Sequence, residues 1–228
     1  MSGAPREVTI SIDGREIRTT HGRRVLAAAL GAGIFVPHLC GVETGPLPHG
    51  ACRLCWVEVE GEGRPVTACT LEASDGLRVR TRSARVDRLV ESAFDMLISV
   101  HPLPCKGCPG HGQCALQEIA SSRGMKLAHG RLPAIMPDLP IDESHPRIGM
   151  DPNRCVLCGE CVRVCAEEGA HALVLAGRGL ATRVSTFLGQ PLGSSGCTGC
   201  GRCATVCPVK ALFLRNAWYD PGSAGGTR

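Results

Sequence analysis

The stretches CVLCGECVRVC at 155–165 and CTGCGRCATVCP at 197–208 decide the reading of this chain. Each carries cysteines spaced Cys-x2-Cys-x2-Cys-x3-Cys, and the second is followed by proline, so the segment is an internal duplication. Three cysteines spaced this tightly match the corners of an iron–sulfur cubane and crowd the tetrahedron of a zinc ribbon. Where two such runs occur together, the fourth cysteine of each serves the other cluster. Cys155, Cys158, Cys161 and Cys207 are therefore expected to hold one [4Fe-4S] cluster, and Cys165, Cys197, Cys200 and Cys203 another. Glycines 159, 199 and 201 beside the ligands can bring backbone amides to the sulfurs.

Working outward, the fifteen cysteines and one histidine divide into four sets of four with none left over. Cys40, Cys52, Cys55 and Cys69 form a set with gaps of 11, 2 and 13 residues, and glycines 41, 45 and 50 let the loop wrap closely. A [2Fe-2S] cluster fits this set, although its first gap is longer than the plant-type spacing. A zinc site with four cysteine ligands is the competing reading, and the flanking strand–helix–strand plan favours iron. The last set is His101, Cys105, Cys108 and Cys114. A histidine in place of a thiolate removes one negative charge from a [4Fe-4S] cluster and raises its potential. His111 lies in the same loop as a rival, but His101 follows a helix and precedes Pro102, which favours it. The expected total is one [2Fe-2S] cluster and three [4Fe-4S] clusters.

Composition agrees with such a chain. Aromatic residues make up only 3% of 228 residues, so clusters are expected to substitute for part of the core and to couple metal binding to folding. Lys+Arg 25 against Asp+Glu 21 gives a formal charge of +4, which shrinks once thiolates and irons are counted and gives nucleic-acid binding no support. An odd cysteine count in tight runs argues for reduced thiols and a cytoplasmic setting rather than disulfides. Arg23-Arg24 before the apolar stretch 25–36 imitates a twin-arginine signal, but its alanines and leucines fall at helical spacing and run directly into Cys40. No run of about 18 apolar residues suggests a membrane span, so direct membrane insertion is not expected. No glycine-rich nucleotide loop, catalytic triad or carboxylate pair stands out, so no catalytic residue is expected. His21, His38, His49, His129, His145 and His171 read as solvated or loop residues.

Patterning predicts strands over 8–12 and 15–20 joined by an Asp13-Gly14 turn, a helix from Val25, and strands within 56–61, 64–69 and 76–81. Val86, Leu89, Val90, Ala93, Met96 and Leu97 recur at helical spacing over 83–100, delivering His101 at the helix end. A second helix is expected over 116–122, an extended connector where four prolines fall between 132 and 146, and strands at 172–175 and 182–187. The expected domains are 1–80, 81–122, a connector 123–145, 146–219, and a flexible tail 220–228.

On these residues the chain resembles a known family. The order of a [2Fe-2S] set, a one-histidine, three-cysteine set and a double cubane module is similar to the N-terminal region of complex I large iron–sulfur subunits, iron-only hydrogenases and NAD-linked formate dehydrogenases. MDPNRCVLCGECVRVC, AGRG and GCTGCGRCATVCPVKALF most resemble the iron–sulfur diaphorase subunits of NAD-reducing [NiFe] hydrogenases. The resemblance implies an α+β fold: a β-grasp [2Fe-2S] ferredoxin-like domain, a small helical segment with the histidine-ligated cluster, and a two-cluster ferredoxin-like domain. It implies electron relay between a flavin- and NAD(H)-binding diaphorase subunit and the small and large subunits of a [NiFe] hydrogenase, in a hetero-oligomer. Complex I subunits usually carry a single cubane in the third region and continue into a large domain, whereas this chain has eight ligands there and stops at residue 228. Catalysis is then expected in partner chains. An equivalent subunit of an NAD-dependent formate dehydrogenase, or an iron–sulfur redox sensor, are the other readings, and four clusters in series favour conduction over sensing.

Overall fold

The computed structural model describes residues 6–41, 50–103 and 105–215, and divides into a unit ending at Phe94 and a unit beginning at Asp95. In the first unit β1 (Glu7–Ile12) and β2 (Arg15–Thr20) form an antiparallel hairpin in which Ile10 faces Ile17. The turn residues Asp13 and Gly14 both take positive φ, 51° and 81°, which matches the twist of a two-residue hairpin. Asp13 also accepts hydrogen bonds from the amide and hydroxyl of Thr81, tying the turn to a segment 68 residues away. Helix α1 (Val25–Gly31) follows, then β3 (Trp56–Val59), β4 (Val66–Thr67) and β5 (Arg78–Arg80). The sheet order is β2-β1-β5-β3-β4, with β1 and β5 parallel and every other neighbour antiparallel. Alternation sends Val8, Ile10 and Ile12 into a core shared with Val25, Leu26, Ala28 and Ala29 of the helix. Small alanines let the helix lie close to the sheet, and each buried Val or Ile contributes about 1.5–3 kcal/mol.

Helix α2 (Ala84–Ser99) begins where the Ser83 hydroxyl accepts from the Val86 amide, a side-chain cap of the kind that satisfies an orphan donor. Its buried stripe is Val86, Val90, Ala93, Phe94 and Ile98, whereas Met96 is 57% exposed. The expected stripe through Met96 is therefore rotated: Phe94 and Ile98 continue the four-residue row set by Val86 and Val90.

The second unit carries α3 (Ala115–Arg123), closed by Gly124 in the left-handed conformation with φ 65°. The connector has neither helix nor strand between 124 and 147 apart from an isolated bridge of Asp142 to Met150. Two strands that patterning did not indicate, β6 (Ile148–Met150) and β9 (Leu212–Leu214), pair antiparallel and bring the ends of the duplicated segment together. Between them lie α4 (Glu160–Glu167), the hairpin of β7 (Val174–Ala176) and β8 (Arg183–Ser185), and α5 (Arg202–Val206). The predicted tail at 220–228 lies outside the described residues.

Candidate functional site

The first set sits at one edge of the sheet core. Cys40, Cys52, Cys55 and Cys69 are all buried, and Cys55 and Cys69 belong to the hydrophobic core itself. Hydrogen bonds from the Leu26 amide to the Ala68 carbonyl and from the Ala68 amide to the Cys55 carbonyl, 3.0 and 2.7 Å, seat the Cys69 segment against α1. The thiols lie in two hydrogen-bonded pairs, Cys40 with Cys52 and Cys55 with Cys69. The hydrogen bond from Cys40 brings Cys52 down to about 6, and that from Cys55 brings Cys69 down to about 7, while Cys40 and Cys55 are raised. Two pairs of closely spaced sulfurs, one member of each pair with a lowered pKa, fit a two-iron cluster in which each iron takes two sulfurs. Arg53, with φ 54°, stacks over Trp56 at 4.7 Å and so turns outward between the inward-facing Cys52 and Cys55. Gly45 and His49 lie outside the described residues.

In the duplicated segment each fourth cysteine lies within electrostatic reach of the other run. Burial foremost, then the charge of Cys207, pushes Cys155 up to about 11; the same two influences act on Cys158, pushed up to about 12. Cys161 is raised by burial and by Cys155, Cys158 and Cys207. Cys203 is pushed up to about 12 by burial and by Cys197, Cys200 and Cys165. Neighbourhood thus groups Cys207 with the first run and Cys165 with the second. Each run also turns one amide onto its first sulfur: Leu157 N to Cys155 Sγ and Gly199 N to Cys197 Sγ, both 3.4 Å, while Ala211 N reaches Cys207 Sγ at 3.2 Å. Such N–H groups favour a charged sulfur. Buried thiols of this kind stay protonated until a cation arrives, so loading iron releases protons.

The remaining set stands at the C-terminal end of α2 and the start of α3. His101 is 5% exposed, and its Nδ1 has no hydrogen-bond partner among the described residues. Burial and then the Arg154 charge pull its pKa down to about 4, so the ring is neutral at physiological pH and offers a lone pair. Exposed His111 instead points its Nδ1 at Gln117 Nε2, 3.0 Å away. Cys105 and Cys108 lie near enough to Cys114 to raise it, after burial. Gly110 N donates to Cys108 Sγ at 3.4 Å, and the Ala115 amide is bonded to the Pro208 carbonyl next to Cys207 at 3.0 Å. A buried, neutral imidazole whose Nδ1 has no hydrogen-bond partner among the described residues fits the chemistry of a cluster ligand, since a buried polar atom ordinarily has one.

Among the described residues no three His, Cys, Asp or Glu side chains close on one point as a mononuclear ion demands. Zinc ligands gather about 2.3 Å from a single centre, whereas cluster ligands ring a cage. Grouped cysteine sulfurs with backbone amides turned onto them fit iron–sulfur clusters.

Several residues near the sulfurs carry no sequence signal of their own. Arg154, within the RC dipeptide, bonds Cys108 rather than solvent. Glu160 is 7% exposed and is held by Arg163 at 2.8 Å. His145, read as a loop histidine, is buried, accepts from the Arg147 amide, and packs on Gly199. His129 reaches the His101 carbonyl at 3.1 Å.

Residues 5–84 match the 2Fe-2S iron-sulfur cluster binding domain family and residues 149–214 the 4Fe-4S dicluster domain family. The fold and donor sets thus define an iron–sulfur protein of the electron-transfer class. Over 93% of its length, and 89% of the other chain, it is 40% identical to a chain in a crystal structure of NAD+-reducing [NiFe]-hydrogenase in the H2-reduced state, with a TM-score of 0.83. The chain belongs to the family of iron–sulfur diaphorase subunits of NAD-reducing [NiFe] hydrogenases, related to the N-terminal region of the complex I large iron–sulfur subunit. It is 37% identical over 209 residues to NADPH-Fe(3+) oxidoreductase subunit alpha of Geobacter sulfurreducens, matching 91% of this chain and 24% of that protein. NADP-reducing hydrogenase subunit HndD of Solidesulfovibrio fructosivorans is 30% identical over 213 residues, covering 90% and 36%. The chain spans about a quarter to a third of the length of these curated relatives. Among the described residues no helix is long and apolar enough to cross a membrane.

Proposed function

We propose that this chain relays electrons through four iron–sulfur clusters between a flavin- and NAD(H)-binding diaphorase subunit and a [NiFe] hydrogenase module, in the cytoplasm. The observation that carries the reading is the 40% identity, over nearly the whole of both chains, to a chain of an NAD+-reducing [NiFe] hydrogenase. The ligands are Cys40, Cys52, Cys55 and Cys69 for a [2Fe-2S] cluster, with three [4Fe-4S] clusters on His101/Cys105/Cys108/Cys114, Cys155/Cys158/Cys161/Cys207 and Cys165/Cys197/Cys200/Cys203. When bound, such clusters take up and release electrons one at a time, at potentials set by ligand type, hydrogen bonds and exposure. The protein supplies those settings. Its apolar shell desolvates the thiols, its amides at Leu157, Gly199, Gly110 and Ala211 stabilise negative sulfur, and buried His101 supplies a neutral ligand.

Metal analysis of the native complex, purified anaerobically through a tag on this chain, tests the reading. Nickel with iron and a flavin subunit supports it. Molybdenum or tungsten would move the chain to a formate dehydrogenase, and iron alone without partners would make it a sensor. For the ligand set, His101→Cys is expected to keep a cluster and lower its potential, because a thiolate adds negative charge. An unchanged redox titration of that cluster would remove His101 from the set.

A further inference from the structure

Arg154 occupies the short stretch between two of the ligand sets. Its backbone is bonded to that of Cys155 as the preceding residue, yet its guanidinium turns back, and Nη1 donates to Cys108 Sγ at 2.7 Å across 46 residues of sequence. The other edge of the fork is fixed: Nε donates to Asp151 Oδ2 at 2.7 Å, and Asp151 Oδ1 is anchored by the Asn153 amide and side chain, each at 3.1 Å. Asn153 is itself bound through its side chain to both backbone groups of Leu139. The side chains of Arg154 and Asp151 are 24% and 10% exposed, so the pair is little screened by water. The cation is therefore clamped in place before any cluster is considered.

We propose that Arg154 is a charge-positioning residue for the histidine-ligated cluster, raising its reduction potential through the Cys108 sulfur, with Asp151 setting how much of that charge the cluster feels. The inference rests on the ligand set given above. A [4Fe-4S] core of charge +2 with three thiolates and a neutral imidazole carries a net −1; one electron accepted from a neighbouring cluster takes it to −2 and moves no proton. A fixed guanidinium on one sulfur stabilises the doubly negative state more than the singly negative one. It thus acts in the same direction as the histidine, and the two together make this cluster a place where an electron rests between modules.

The test is potentiometric titration of the anaerobically purified complex, followed by electron paramagnetic resonance, comparing wild type with Arg154→Gln, Arg154→Lys and Asp151→Asn. Arg154→Gln is expected to shift the reduction equilibrium of the histidine-ligated cluster about tenfold towards the oxidised form, equivalent to about 59 mV for one electron. Arg154→Lys, which retains the charge without the fork, is expected to shift it less. Asp151→Asn keeps an oxygen for Asn153 but removes the counter-charge, and is expected to shift the same cluster the opposite way. Signals of the other clusters are expected to stay in place. An unmoved potential in Arg154→Gln with the cluster present overturns the inference, as does an equal shift of all clusters, which signals general loosening. Should Arg154→Gln fail to assemble, the opposed signs of Arg154→Lys and Asp151→Asn still decide it. Absence of nitrogen hyperfine coupling to any wild-type cluster would instead overturn the His101 ligation, and the inference with it.

Discussion

The two copies of the cysteine run use one backbone and two different surroundings. Leu157 and Gly199 occupy the same place in the repeat, both with positive φ, 55° and 70°, and each amide meets the first sulfur of its run at the same 3.4 Å. Gly159 and Gly201, at φ 80° and 83°, open the helices that follow. Sulfur recognition therefore belongs to the main chain, and the loop demands a left-handed residue whatever its side chain. The copies differ in what stands beside them. A Cβ at 199 would meet Cε1 of His145 at 2.9 Å, so glycine is required for space as well as for φ, whereas the first copy accommodates a leucine. Cys158 is buried and its counterpart Cys200 is exposed. A glycine at a ligand loop thus has two separate causes, and only the comparison of copies divides them.

The largest way to break the equivalence is to remove a fourth cysteine. Cys207→Ala is expected to cost the cluster whose other ligands lie in the first copy, and Cys165→Ala the cluster of the second. Iron content and paramagnetic resonance of the two variants would show straight pairing instead if each lost the cluster of its own run. A smaller effect separates the helices. Glu160 and Arg163 in α4, with side chains 9% and 11% exposed, correspond in the repeat to Arg202 and Thr205 in α5. Arg163→Ala removes the ion pair from a buried carboxylate and is expected to cost about 3 kcal/mol in anaerobic unfolding. Arg202→Ala loses only partly exposed contacts to Glu167 and Glu168 and is expected to cost under about 1 kcal/mol.

The glycine comparison is sharper still in sign. Gly199→Leu meets both a left-handed backbone and His145, and is expected to destabilise by about 2–3 kcal/mol. Leu157→Gly relieves strain while removing a half-buried apolar side chain, and its net change is expected within about 1 kcal/mol. A loss in Gly199→Leu no larger than a gain in Leu157→Gly would show that φ alone dictates the position. The smallest effect is pH-dependent and concerns the lead-in to the second copy. Burial would raise the Asp142 pKa, but hydrogen bonds from Ser144 and from the Leu192 amide outweigh it and the pKa is lowered. A lowered folded pKa contributes stability that is full above the unfolded value, about 3.9, and lost as pH falls through the folded one. The stability gap between wild type and Asp142→Asn is therefore expected to narrow on acidification below about pH 4 and to be constant above about pH 6. A gap that widened with acid would remove Asp142 from this role.

Much of this architecture was legible because ligand spacing and strand alternation are local signals. The Asp13-Gly14 hairpin and the helix from Val25 both follow from residues within a few positions of one another. What escaped has non-local causes. Ile148–Met150 and Leu212–Leu214 are three-residue strands, too short for alternation, and exist because each finds the other 64 residues away. Helices α4 and α5 carry cysteines where an apolar stripe would stand, so periodicity is masked by ligands. In α2 both Phe94 and Met96 suit an apolar face, and packing chooses Phe94. Among the site residues, cysteines announced themselves by type and interval, but Arg154 and His145 are ordinary in sequence and acquire meaning only from Cys108 and Gly199.

The pairing of β6 with β9 has a consequence for how such a module travels between proteins. The chain enters on Ile148–Met150 and leaves on Leu212–Leu214 along adjacent antiparallel strands, about 5 Å apart. A segment whose two ends meet so closely can be spliced into a polypeptide, or cut from it, while the flanking chain keeps its course. Electron-carrying capacity becomes in that way a detachable cassette, joined to its host across the width of a single hydrogen-bonded step.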